Sequence, residues 1–146
     1  MTDERAVSVT VTYAMNLAIA TVLLAGLLTV TGDLVEDHRE SAARAELSVV
    51  GNRVAADLMS ADRLAQAGDD PEVRVEAVLP SRVAGSTYTV TINATPGDPH
   101  VALSPVDSRL TVTVPFRNAT AVRNGTVAGG DLAVVLADDG RLEVRT

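Results

Sequence analysis

The feature that most constrains this chain is the charge-free stretch between Arg5 and Asp33, AVSVTVTYAMNLAIATVLLAGLLTVTG, rich in Val, Leu, Ala and Ile. As a helix rising about 1.5 Å per residue it reaches roughly 40 Å, enough to cross a hydrocarbon layer about 30 Å thick with some tilt. Three roles fit such a run: a secretion signal to be discarded, a plain membrane anchor, or the assembly helix of a filament subunit. A secretory signal carries a shorter apolar core followed by a small-x-small cleavage site. The residues that follow here read TVTGDLVEDHRE, without that pattern. The segment is therefore expected to remain in the mature protein.

The helix is predicted to continue beyond the span, because residues 33–67 hold no Pro and one Gly, Gly51. Leu34, Ala42, Ala45, Val49, Val50, Val54, Leu58 and Leu64 recur mostly at three- and four-residue steps, with charged residues interleaved, which reads as an amphipathic continuation. Glu40 and Arg44 stand in the favourable acid-before-base order four residues apart. In QAGDDPE, Gly68 is expected to be a left-handed cap and Pro71 to block further helix.

After Pro71 the apolar period falls to two. Residues 72–79, 86–94, 100–104, 109–116, 131–137 and 141–145 read as six strands, and Asp139-Gly140 predicts a terminal hairpin. The intervening segment 118–130 is expected to be a mobile loop. The predicted fold class is thus α+β: a long N-terminal transmembrane and amphipathic helix, then a small antiparallel β-sheet or sandwich with one face on the helix.

Composition narrows the chemistry. Twelve basic residues, all Arg, stand against 19 acidic ones, for a net charge of −7, and Lys is absent. Solubility at high salt and codon bias in a GC-rich genome both produce this pattern. An acidic chain with two Tyr, one Phe and no Trp offers no basic patch or stacking surface, so no nucleic-acid partner is expected. No Cys is present for a disulfide or a zinc-thiolate site. His38 and His100 fall in different predicted elements, and no triad, metal-binding helix or phosphate loop occurs. Asp69-Asp70 and Asp138-Asp139 read as turn residues rather than calcium ligands. No catalytic centre, metal site or cofactor is expected.

Two constellations remain. Asn93-Ala94-Thr95, Asn118-Ala119-Thr120 and Asn124-Gly125-Thr126 are Asn-x-Thr sequons, all in the predicted β domain, and they favour an extracytoplasmic location. Asn93, at a strand end with Pro96 directly after its Thr, is the poorest of the three acceptors. Within the span, Ser8, Thr12, Asn16 and Ala20 share a face at four-residue steps. Asn16 is the informative member, since a carboxamide is unfavourable against lipid and can hydrogen-bond across a helix–helix interface. Charges flanking the span, Arg5 before it and Arg39 and Arg44 after it, leave its orientation open.

The opening DERAVSVTVTYAMNL resembles the start of haloarchaeal type IV pilin-like proteins, in which a short charged leader ends in a basic and a small residue before an apolar assembly helix. Arg5-Ala6 matches the leader's end, and Val7-Ser8 matches the start of the mature helix. The resemblance implies cleavage between Ala6 and Val7 by a prepilin peptidase, and a lollipop outline of helix and β domain. It divides the chain into a leader (1–6), an assembly helix (7–32), an amphipathic continuation (33–67) and an extracellular β domain (72–146). Major pilins of this type continue with Ser-Pro-Val-Ile-Gly, whereas Ser8 is followed here by Val9-Thr10-Val11-Thr12, which points to a minor pilin or a pilin-type membrane protein. The implied function is that of a structural subunit of a surface filament, partnered by the membrane and by itself or other pilin-like subunits. The alternative is a single-span anchored extracellular binding module that does not polymerise.

Overall fold

The computed structural model describes residues 3–68 and 72–146, with residues 3–10, 30–33 and 36 described by their helical backbone alone. Asp69, Asp70 and Pro71 lie outside the described residues. One helix, α1, runs Asp3–Ala65. The chain divides into two compact units, Met1–Arg39 and Glu40–Thr146.

In the first unit, every residue of the span Val11–Thr29 is exposed, and the span is long and apolar enough to cross a membrane. A helix apolar on all sides needs an apolar environment around its whole circumference. Two hydroxyls are satisfied internally, which lets them sit in such surroundings: Thr21 donates to the Leu17 carbonyl at 2.8 Å and Thr29 to the Ala25 carbonyl at 3.1 Å.

In the second unit, α1 buries Ala43, Leu47, Val50, Val54, Ala55, Leu58, Ala61 and Asp62, a stripe of three- and four-residue steps. The expected stripe overlaps it at Val50, Val54 and Leu58 but errs elsewhere. Ala42, Ala45, Val49 and Leu64 are exposed, Val49 by 71%. Val49 and Val50 lie about 100° apart around the helix, and of the two only Val50 falls on the side turned to the core. Gly51 fixes which side wins. A Cβ there would lie 2.8 Å from both Leu103 Cδ1 and Val114 Cγ2, so the helix backbone rests directly on the sheet. Glu40 and Arg44 pair at 2.8 Å as the spacing predicted.

The helix ends at Ala65, with the Gln66 N–H donating to the Asp62 carbonyl and the Ala67 N–H to the Leu64 carbonyl. Gly68 is not left-handed, which corrects the expected cap. The last turn tightens on its own carbonyls instead, as helix ends without a glycine cap commonly do.

Among the described residues seven strands follow, all paired antiparallel: β1 (Arg74–Ala77), β2 (Tyr88–Asn93), β3 (His100–Pro105), β4 (Val112–Pro115), β5 (Gly125–Ala128), β6 (Leu132–Leu136) and β7 (Leu142–Arg145). They form a four-stranded sheet ordered β4-β3-β2-β5 and a three-stranded sheet ordered β1-β6-β7. Strict alternation places Tyr88, Val90 and Ile92 of β2, and Val101, Leu103 and Pro105 of β3, in the interior. All of these but Pro105 form one hydrophobic core with the apolar residues of the helix stripe, Leu132, Val134 and Leu142.

β5 corrects the expectation of a mobile loop over 118–130. Its Gly-flanked GTVA has little apolar pattern of its own, and pairing with β2 makes it a strand, from Thr89 opposite Ala128 to Ile92 opposite Gly125. Thr91 and Thr126 hydroxyls meet across this pair at 3.0 Å. The terminal hairpin forms as predicted. The Gly140 N–H donates to the Ala137 carbonyl, Gly140 is left-handed at φ 74°, and the Ala137 N–H donates to the Arg141 carbonyl.

Between β1 and β2, Val83 and Ser86 exchange both backbone hydrogen bonds around Ala84 (φ 48°) and Gly85 (φ 84°), a two-residue turn with both central residues left-handed. Ala84 is the one described non-glycine residue in that region, and its N–H donates to Glu46 Oε2 of α1 at 2.8 Å.

Candidate functional site

The site expected from the sequence lies on the apolar part of α1. Arg5, Ala6, Val7 and Ser8 are helical, and their side chains lie outside the described residues. Thr12, Asn16 and Ala20 are exposed and share one helical face by their spacing. Unlike Thr21 and Thr29, Asn16 makes no side-chain hydrogen bond among the described residues. A carboxamide has two N–H donors and an acceptor oxygen, so Asn16 presents unmet hydrogen-bonding capacity within a largely apolar span.

The three sequons differ in their surroundings. Asn93, half-buried at the end of β2, turns its Oδ1 back to accept from the N–H and hydroxyl of Thr95. Asn118 is half-buried, and its Nδ2 donates to the Thr120 carbonyl at 2.8 Å. Asn124 is exposed just before β5. Its Oδ1 accepts from the Ala94 N–H at 2.7 Å, and its Nδ2 has no partner among the described residues.

Beside Asn124 runs a cavity of about 230 Å³ between the edges of β5 and β7, lined by Ile92, Arg123, Thr126, Val127, Glu143 and Val144. Next to it the two segments are joined: the Arg123 N–H donates to the Leu142 carbonyl and the Leu142 N–H to the Ala121 carbonyl, both at 2.8 Å. A charge network borders it: Arg123 meets Asp139 at 2.6 Å and Glu143 at 3.4 Å, and Arg145 meets Glu143 at 3.1 Å. The hydrogen bond from Arg123 holds the Asp139 carboxyl below the ordinary carboxylate range, and the bond from Arg145 does the same for Glu143.

His38 is exposed on α1, while His100 Nδ1 lies 2.9 Å from the Asp98 carbonyl oxygen at the start of β3. Sequence reasoning missed Asp62. It is 7% exposed, and its carboxylate accepts from the N–H groups of Ala119 and Thr120 and from Gln66 Nε2, pinning the 118–120 segment to the helix. Its position four residues after Leu58 was a usable signal, since it falls on the buried stripe.

The sequence pattern of one protein family, described as a family of unknown function (DUF7266), matches residues 2–146. The chain belongs to that family. No curated protein and no solved structure matches the chain significantly. The DUF7266 match covers both the apolar helix and the β domain.

Proposed function

We propose that this protein is a pilin-like subunit of a type IV pilus-like surface filament, held first in the membrane and then in a filament core by the apolar part of α1. The observation that carries this reading is the span Val11–Thr29, exposed along its whole length with the Asn16 carboxamide unpartnered in its midst. Lipid tails and a bundle of neighbouring helices are similarly apolar, so transfer from one to the other costs little in solvation. What changes is that neighbouring helices offer hydrogen-bond partners. A bond from Asn16 across such an interface contributes about 0.6–2 kcal/mol, and Thr12 and Ala20 on the same face allow close backbone approach.

Under this reading the N-terminus starts in the cytoplasm. A prepilin peptidase cleaves the amide between Ala6 and Val7, and the β domain is displayed outside for adhesion or other surface contact. The partners are the membrane, other copies of the chain or related pilin-like subunits, and the peptidase.

The test is the mass and N-terminal sequence of the protein extracted from its own membrane. A mature chain beginning at Val7 is expected, and a chain beginning at Met1 or Thr2 overturns processing of the pilin type. Asn16→Leu separates assembly from simple anchoring. Loss or alteration of the higher-order species is expected, whereas an unchanged oligomeric state identifies a single-span anchored module instead.

A further inference from the structure

The Glu40–Thr146 unit carries three polar features around its core: the groove beside Asn124, the Asp62 pin, and an open groove lined by Arg44 and Arg109. Asp62 has its hydrogen bonds filled by the chain itself, and Arg44 is already paired with Glu40. The groove beside Asn124 has a free nucleophilic position and room next to it.

We propose that Asn124 is the glycan-bearing residue of this chain and that the first sugar, an uncharged pyranose, seats in the groove between β5 and β7. The proposal rests on the β domain lying outside the membrane. An attached glycan needs an Asn whose nitrogen reaches solvent without dismantling the fold. Half-burial works against Asn93 and Asn118, and the Asn118 nitrogen is also engaged by the Thr120 carbonyl. At Asn124 the amide is held by its oxygen. The Ala94 N–H fixes Oδ1, so Nδ2 is the free end, and the bond to Ala94 persists after modification because the product is still an amide.

The chemistry is transfer from a lipid-phosphate-linked oligosaccharide. Nδ2 attacks the anomeric carbon, a C–N bond forms, and the anomeric C–O bond breaks. The lipid phosphate leaves with the electron pair, and one Nδ2 proton passes to the transferase's base. The groove then suits what it receives. Val127 and Val144 present carbon to the C–H face of a sugar ring, while the Thr126 hydroxyl and the Glu143 carboxylate can meet its hydroxyls. Arg123 and Glu143 neutralise one another, so the groove favours an uncharged ring over an acidic one.

Tryptic cleavage after Arg82, Arg109, Arg117, Arg123 and Arg141 puts each sequon on its own peptide, 83–109, 118–123 and 124–141. Mass analysis of protein from its native membrane should find glycan on 124–141 with 83–109 and 118–123 bare. Asn124→Asp, which keeps the oxygen that Ala94 binds, should lose the whole glycan mass. Modification on 83–109 or 118–123 in place of 124–141 overturns the proposal, as does an unmodified chain. Protease digestion of the β domain on intact cells is run alongside. Digestion without glycan on Asn124 sinks the proposal and leaves the exterior placement standing, while resistance together with bare peptides sinks both. Hydrogen exchange across 142–145 should be slower in the glycosylated protein than in Asn124→Asp, and equal rates overturn the seat in the groove.

Discussion

Removing the Asp62 carboxylate leaves the Ala119 and Thr120 N–H groups without their acceptor beside the core. Asp62→Ala should therefore destabilise the protein by about 3 kcal/mol, and Asp62→Asn by less, because one acceptor oxygen remains. Urea midpoints of the detergent-solubilised chain measure both. At Ala84 the effect has the opposite sign. A non-glycine residue at φ 48° is strained, and Asn tolerates this region and precedes Gly in the favoured turn pair. Ala84→Asn should stabilise in the same assay by part of the roughly 1–2 kcal/mol that a left-handed residue costs. Asp139 and Glu143 set an acid limb. Their carboxyls titrate lower in the fold than in the unfolded chain, so their contribution is fully present above the ordinary carboxylate range and is lost as pH falls below it. Thermal melts taken from neutral to acid pH should show that loss, Asp139→Asn should flatten it, and added salt should weaken it because these groups reach solvent, Asp139 openly and Glu143 in part.

Among the elements, α1 shows what a pattern can and cannot disclose. Its continuation past the span was legible because no Pro interrupts residues 33–67, and the terminal hairpin was legible because Asp139-Gly140 separates two apolar runs. The buried side of the helix was half legible. It is decided by a residue with no side chain, Gly51, and by a buried acid, Asp62, neither of which registers as hydrophobic. β5 was illegible for a related reason: its pairing is imposed by β2, and its own GTVA carries almost no alternation. At the site, the chemistry of Asn16 could be read from its residue type, whereas the difference between Asn118 and Asn124 appears only when their hydrogen bonds are known. Gly51→Ala tests the helix seat. Higher helix propensity favours Ala by about 1 kcal/mol, but the new methyl meets stiff, β-branched Val114, and overpacking costs about 1–3 kcal/mol. A net loss of about 1 kcal/mol is expected from the urea midpoint, being the difference between those two terms.

For the molecule as a whole, the core cluster begins at Ala43 and lies entirely within Glu40–Thr146. A fragment starting at Glu40 should thus be soluble, folded and close in urea midpoint to the full chain. One starting after Pro71 should not fold cooperatively, because it lacks Leu47, Val54, Leu58 and Ala61. Circular dichroism through a urea titration distinguishes these outcomes. The pairing of β1 with β6 has a bearing on time as well as on stability. Arg74 lies opposite Val135, so the first strand after the helix waits for nearly the last part of the chain before it finds its neighbour, whereas β2, β3 and β4 can fold as each emerges. Such distant pairings close late. If the chain crosses the membrane from its N-terminus, residues 118–130 pass through while the second sheet is still open, and the emergence of β6 and β7 sets the deadline for any enzyme that must reach them.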